Sequence, residues 1–263
     1  MKTLPLAAAL TAIGAAAIAG LGPVAPAAAM DVMTVPEQCR VPEGLIRDIA
    51  DFAHSAERVA RERKLVIVAI GGASTQGLGA SSPAAAWPTR LADILSKRLD
   101  AVEIKVFNFG VRRQPAKTAQ ERFKKDIATL HPSLVIWETG TVEAAQTMNP
   151  DEFVDTLAKG MDDVSAMQAD LILMDPQYAR GSALLINFQP FMEAMRLAAS
   201  MPGVNLFPRH EIMHYWDGEG RLVPRTREEM TRGNDQIYDC IAELLAEVID
   251  RGLRHGAHAT SRK

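Results

Sequence analysis

The feature that most constrains this chain is an alternation. Five short apolar runs, at 65–70, 103–109, 133–137, 170–174 and 204–207, are separated by stretches of helical periodicity. Runs this short, rich in Val, Ile and Leu and bounded by polar or Gly-containing turns, read as strands buried on both faces. Helices are predicted between them at 87–99, 116–130, 150–167 and 188–199. A short helix is predicted at 210–216 and a last one at 234–251, with a frayed tail over 255–263. Another amphipathic helix is predicted ahead of the first strand, over 43–63, with Ile46, Ala53, Ala56 and Val59 on its apolar face. Strands alternating with helices imply a doubly wound parallel five-stranded sheet, a flavodoxin-like three-layer α/β/α architecture.

In such a sheet the binding crevice lies at the carboxyl ends of the strands. That rule selects Gly72, Ser74 and Thr75 after the first strand, and Asn108, Gly110, Arg112 and Arg113 after the second. It adds Glu138, Thr139, Thr141 and Glu143 after the third, Asp175 and Tyr178 after the fourth, and Arg209, His210 and His214 after the fifth.

Composition narrows the function classes. With 263 residues, 48% of them hydrophobic, the chain suffices for one α/β domain with an ample core. A net charge of -3 gives no reason to expect nucleic acid or an anionic membrane as partner. Residues 1–29 read as a signal peptide: Lys2, an apolar stretch over 4–21, and Ala27-Ala28-Ala29 as the small-residue cleavage site. Gly14, Gly20, Gly22, Pro23 and Pro26 interrupt that stretch and argue against a permanent anchor. The expected layout is a signal peptide, a linker and helix over 30–63, the α/β domain over 64–252 and a tail over 253–263. The expected location is periplasmic or secreted, with no membrane span after cleavage; no oligomeric state is implied. Two cysteines exclude a disulfide scaffold and a multi-Cys zinc site. In an oxidising compartment, Cys39 and Cys240 either pair, stapling the N-terminal arm to the last helix, or stay unpaired with Cys240 in the core.

The turn Gly71-Gly72-Ala73-Ser74-Thr75-Gln76-Gly77 carries the chemistry. It is not a phosphate-binding P-loop, because Leu78 follows Gly77 where Lys is needed. It is not a dinucleotide fingerprint, because Gly72-Ala73-Ser74 breaks that pattern. It is not an α/β-hydrolase elbow either, because Gln76 holds the last glycine position. Ser74 then reads either as an N-cap or as a nucleophile.

Four blocks in order resemble the SGNH/GDSL hydrolase family. They are the serine turn, Asn108-Phe109-Gly110, Gly140-Thr141-Val142-Glu143, and Asn234-Asp235-Gln236-Ile237-Tyr238 leading into the last helix. The resemblance spans about 65–251 and implies the SGNH hydrolase fold. It implies Ser74 as nucleophile, with the Ser74 and Gly110 N–H groups as oxyanion donors. It also exposes departures. Ala73 stands in place of the family's aspartate, Val142 in place of its oxyanion asparagine, and Arg232 in place of its catalytic histidine, with Glu229 as the paired acid. Arginine stays protonated and cannot act as a base. Losing one oxyanion donor costs roughly 3–4 kcal/mol of barrier.

His210 and His214, one helical turn apart, are the candidate replacement bases. Gly72, Thr75, Asn108, Arg112, Thr141, Glu143 and Arg232 are candidate binding residues around Ser74. The expected activity is hydrolysis of a carboxylic or O-acyl ester, on a small molecule, glycan or lipid, without a cofactor or metal. Two alternatives stand beside it. One is a catalytically degenerate binding or envelope module that holds an anion on arginines. The other is a zinc hydrolase built on His210-Glu211-Ile212-Met213-His214.

Overall fold

The computed structural model describes residues 34–46, 51–201, 203–221 and 227–260. The predicted signal peptide lies outside them. Five parallel strands form one sheet: β1 (Lys64–Gly71), β2 (Glu103–Gly110), β3 (Leu134–Glu138), β4 (Asp170–Met174) and β5 (Val204–Phe207). Their order is β2-β1-β3-β4-β5. The strand order reverses between β1 and β3, and in open α/β sheets that switch point opens the crevice. Lys64 pairs with Glu103 and Gly71 with Gly110 on one side of β1, while Ile67 pairs with Leu134 and Ile70 with Trp137 on the other.

The three-layer architecture follows from the strands' uniform apolarity. In β1, Leu65, Ile67 and Ala69 belong to one core, and Val68 and Ile70 to the other. The first core is covered by α1 (Ala53–Glu62), α3 (Trp87–Arg98) and α10 (Arg227–Thr260). The second is covered by α4 (Ala116–Arg122), α6 (Pro150–Ala166) and α8 (Gln189–Ala198). Single helical turns sit at three strand exits: α2 (Ala73–Gln76), α5 (Thr141–Ala145) and α7 (Arg180–Ala183). The last strand leads into α9 (Arg209–Gly218). Among the described residues, no helix is long and apolar enough to cross a membrane.

Three helices depart from the periodicity. The helix expected over 43–63 is broken into a 3-10 turn (Glu43–Leu45) and α1. Phe52, just ahead of α1, is fully buried, and its N–H is bonded to the Gly252 carbonyl. Docking on α10 therefore outweighs continuing the helix. The helix expected over 116–130 holds its path but widens to a π turn at Phe123–Ile127 and tightens to 3-10 at Ala128–Leu130. The last helix does not fray at His255; it continues to Thr260. Gly252 and Gly256 lower its intrinsic helicity, yet both are packing sites. A Cβ on Gly252 would lie 2.3 Å from the Phe52 ring, and one on Gly256 2.7 Å from the Phe52 carbonyl oxygen. Of the two readings of the cysteines, the paired one is found: a Cys39–Cys240 disulfide ties the N-terminal arm to α10.

Candidate active site

The β1 exit builds the site. Gly72 leaves the strand, α2 makes one turn, and Gly77 ends it in the left-handed region at φ 98°. Ser74 and Thr75 are buried inside this turn. The end of β2 presses against it from one side. A Cβ on Gly110 would come within 2.2 Å of the Gln76 nitrogen, so this position needs glycine for close approach rather than for torsion. Asn108 locks the two exits together: its Nδ2 donates to the Thr75 carbonyl at 2.7 Å, and its Oδ1 accepts the Gly110 N–H at 2.9 Å. The Gly110 N–H, expected as an oxyanion donor, is therefore bonded to Asn108. The Ser74 N–H has no partner among the described residues.

β3 ends in Glu138, whose carboxylate lies beneath the serine turn. Its Oε2 accepts the Gly72 N–H at 3.1 Å, the Thr75 N–H at 3.2 Å and the Thr75 hydroxyl at 2.5 Å. Its Oε1 accepts Arg209 Nη2 at 2.9 Å. Burial would raise its pKa. The Arg209 charge, with hydrogen bonds from Thr75, Arg209 and Ser74, outweighs burial and holds the carboxyl below its ordinary value. Glu138 is ionised at neutral pH.

Arg209, the first residue of α9, is 2% exposed and uses three donors on three elements. Nη1 donates to Ser74 Oγ at 2.7 Å, Nη2 to Glu138, and Nε to the Asp175 carbonyl at 3.1 Å. The exits of β1, β3, β4 and β5 thus meet on one guanidinium. A planar fork suits this task and an ammonium would not. Because Arg209 occupies a lone pair of Ser74 Oγ as donor, the hydroxyl proton must point elsewhere. Ser74 is among the groups that lower the Glu138 pKa, which makes that carboxylate the nearby acceptor.

The other candidates surround this cluster in different ways. Glu143 accepts the Ala116 N–H and, at 3.1 Å, the Gly140 N–H, so it fixes the β3 exit against α4. Burial raises its pKa despite these bonds. The Thr141 hydroxyl is buried without a hydrogen-bond partner among the described residues. Arg112 is exposed on the rim. Arg232 lines a cavity of about 700 Å³ between the β4 exit, α9 and the start of α10, together with Tyr178, Arg180 and Asn234. Neither Ser74, Glu138 nor Arg209 lines that cavity.

His210 lies next to Arg209 in sequence but presents its ring to Tyr178 and Phe188, with centroids 5.3 and 5.7 Å away. Its backbone N–H donates to Asp175 Oδ1 at 2.8 Å. Burial, then the neighbouring His214, lowers its pKa, so its imidazole is neutral at pH 7. His214 is exposed and meets the Tyr178 ring edge-to-face at a centroid distance of 4.8 Å. Among the described residues, no group of three or more His, Cys, Asp or Glu side chains is arranged to hold a metal ion.

Asp175 is fully enclosed at the end of β4, and burial pushes its pKa up to about 7. From α10, Tyr238 donates to the Leu78 carbonyl at 2.5 Å, and Asp235 accepts the Ser81 N–H at 2.8 Å. The last helix therefore clamps the segment that follows the serine turn. The sequence placed Glu138 and Arg209 at strand exits but did not join either to Ser74. They are 64 and 135 positions along the chain from it, and no local pattern links them.

Known proteins share this framework. TesA superposes with a TM-score of 0.52 at 16% identity, over 66% of this chain and 97% of its own. The esterase AlinE4, an SGNH-family hydrolase, superposes at 0.51 and 18% identity, over 62% of this chain and 84% of its own. A two-domain esterase active on acetylated mannans, CEX, superposes at 0.60 and 15% identity, over 78% of this chain. The chain spans about 55% of that protein's length. These likenesses establish the SGNH hydrolase fold. No curated protein matches the sequence. Residues 38–255 fit the sequence profile of the non-GDSL lipase-like family, and the chain belongs to that family.

Proposed function

We propose that this protein hydrolyses a carboxylic or O-acyl ester with Ser74 as nucleophile and without a histidine base. The observation that carries the reading is the Arg209 Nη1–Ser74 Oγ hydrogen bond of 2.7 Å, on a guanidinium that is itself paired with Glu138 at 2.9 Å. In this mechanism the Ser74 proton passes to the Glu138 carboxylate as Oγ attacks the acyl carbon. Glu138 returns the proton to the leaving alkoxide, which departs as the alcohol. Water then attacks the acyl-enzyme, giving its proton to Glu138, and Glu138 passes that proton to Ser74 Oγ as the acyl–Oγ bond breaks, which releases the acid and restores both groups. Arg209 stabilises negative charge as it builds on Oγ, an electrostatic effect that is strong in a buried site. A carboxylate with a depressed pKa is a weak base. The unpartnered Ser74 N–H is the backbone donor left for the oxyanion, since Gly110 is committed to Asn108. Both features predict slow turnover. In keeping with the sequence expectation, the protein acts outside the cytoplasm.

A second reading has its own support. Arg209 is permanently charged, and it occupies the place beside Ser74 where a base would stand. A non-hydrolytic envelope module would keep the same framework. It would not bind its anion on Arg209, which is enclosed and already neutralised by Glu138.

One experiment separates the two. Purified protein is incubated with a fluorophosphonate probe and with short-chain acyl esters. Slow labelling and slow hydrolysis that both disappear in Ser74→Ala support the hydrolase. No labelling of the folded protein rules out a live nucleophile and leaves the module.

A further inference from the structure

The surface around the crevice differs from the rest of the molecule. Four loops leave β1 to β4 at the carboxyl edge, over 72–86, 111–115, 139–149 and 175–188. Their charged residues are Arg112, Arg113, Glu143, Asp175 and Arg180. Glu143 and Asp175 are buried, so every exposed charge on these loops is an arginine. Arg180 is paired with Asp217 of α9 at 3.0 Å, whereas Arg112 and Arg113 are exposed with no ion-pair partner among the described residues. Acids of α9 and α10 meet two of these loops, Asp217 at Arg180 and Asp235 at the Ser81 N–H, so the positive charge without an ion-pair partner among the described residues is confined to Arg112 and Arg113.

The same loops hold large apolar side chains in water. Leu184 and Leu185, adjacent after α7, are 84% and 88% exposed, and Leu78 and Val111 are also exposed. Single exposed apolar residues are ordinary, but a neighbouring pair on the same sheet edge as two exposed arginines marks an interaction surface. The charge pattern selects the occupant. A second copy of this chain would bring arginine-bearing edges together, and like charges repel. An anionic lipid surface satisfies both halves: its acyl region takes leucines, and its headgroup phosphates take guanidinium groups.

We infer that the carboxyl edge of the sheet docks on an anionic lipid–water interface, with Leu184 and Leu185 entering the acyl region and Arg112 and Arg113 facing the phosphates. This goes beyond the hydrolase reading and does not depend on turnover. It would set the Ser74 crevice against a surface where acyl esters are presented.

The test is sedimentation of the full chain with sucrose-loaded vesicles of phosphatidylcholine alone or mixed with phosphatidylglycerol. Residues 1–29 are common to every variant, so the change between variants is what is read. Binding to the anionic vesicles should weaken about tenfold or more in L184D/L185D, and likewise in L184S/L185S, which adds no charge. R112Q/R113Q should lose the preference for anionic vesicles and the sensitivity to salt. Ser74→Ala should bind as the parent does, whatever becomes of hydrolysis, so failure of the nucleophile and failure of docking are told apart. Unchanged partition in both leucine double variants overturns the inference. So does equal binding to neutral and anionic vesicles by the parent, or a dimer by light scattering that L184S/L185S dissociates.

Discussion

Two buried Arg–Glu clusters hold this molecule together, and only one of them reaches the serine turn. At the carboxyl edge, Glu138 pairs with Arg209 at 2.9 Å, and Arg209 continues to Ser74. On the α3–α10 side, Glu247 accepts Arg98 at 3.0 Å, Arg251 at 2.9 Å and the Thr34 hydroxyl at 2.7 Å. Arg98 also bonds Glu243. Both carboxylates are almost wholly enclosed, and the pKa of each is held down by its partners against the pull of burial. Burial and depressed pKa therefore do not distinguish them. The difference lies in what completes each cluster. Glu247 is closed off by two cations and a hydroxyl that tether helices and arm. Glu138 is surrounded by the turn at the switch point, and its cluster includes Ser74, whose backbone N–H has no partner among the described residues.

The largest effects should come from removing each carboxylate's charge. E138Q leaves Arg209 buried without its counter-charge, and breaking such a pair costs about 3–5 kcal/mol. E247Q should cost less, because Arg98 keeps Glu243. Urea denaturation measures both. Hydrolysis per folded molecule divides them: E138Q should fall by about a hundredfold or more as the proton acceptor is lost, and E247Q should match the parent. Equal loss of activity in the two variants would make Glu138 a structural carboxylate like Glu247.

Next in size is the disulfide, which serves the α10 side alone. C39S/C240S removes a link between residues 201 positions apart and should lower stability by about 2–5 kcal/mol. Fluorophosphonate labelling of the folded fraction should be unaltered. A drop in labelling would mean that α10, which holds the segment after the serine turn through Tyr238 and Asp235, transmits the loss to Ser74.

R209K should cost less stability, about 1–3 kcal/mol, because the positive charge beside Glu138 is kept. A single ammonium cannot meet Ser74 Oγ, Glu138 Oε1 and the Asp175 carbonyl in one plane. Hydrolysis should therefore fall further than stability explains. If the lysine variant instead turned over faster, Arg209 would be a brake on the serine rather than a support.

The sequence reveals the framework far better than the partners within it. β1, β3 and β4 are buried on both faces, so their Val, Ile and Leu runs are unambiguous, and parallel pairing follows from the helices between them. Helix limits at 46–53 and beyond 251 escape periodicity, because Phe52 and Gly252 meet only in the folded chain. At the site, the Gly-rich turn locates Ser74. Its partner is harder to read, because Arg209 and His210 are consecutive and point about 100° apart around α9. Their place after the fifth strand makes His210 and His214 the candidate bases in the sequence. Packing turns His210 to Tyr178 and gives the serine to Arg209. Adjacent residues of one helix are not separable by spacing alone, and the α9 N-terminus is fixed by Asp175, the residue that follows β4.

That fixing contact supplies the most diagnostic effect. Asp175 has a pKa of about 7 in the fold, against an ordinary value of 3.8, with burial as the main cause. A raised pKa means that the folded state binds the proton more tightly than the unfolded chain does. Asp175 therefore imposes no penalty below about pH 4, costs progressively more stability as pH climbs through the window to about 7, and costs a constant amount above it. Glu138 has the opposite sign. Its pKa is lowered, so its contribution is complete above the ordinary carboxylate value of 4.5 and fades only as pH falls through its folded pKa. Between pH 5 and 7, about where Glu138 is already ionised in both states, the raised Glu143 and Asp170 share the sign of Asp175 and the lowered His210 opposes it, so the difference between parent and D175N is what isolates Asp175. D175N keeps an acceptor for the His210 N–H and removes the titration. Thermal melts across this window should show the parent losing stability with rising pH more steeply than D175N. Parallel curves would show that Asp175 does not titrate there, and that the N-terminus of α9 holds Arg209 on Ser74 equally well on either side of neutrality.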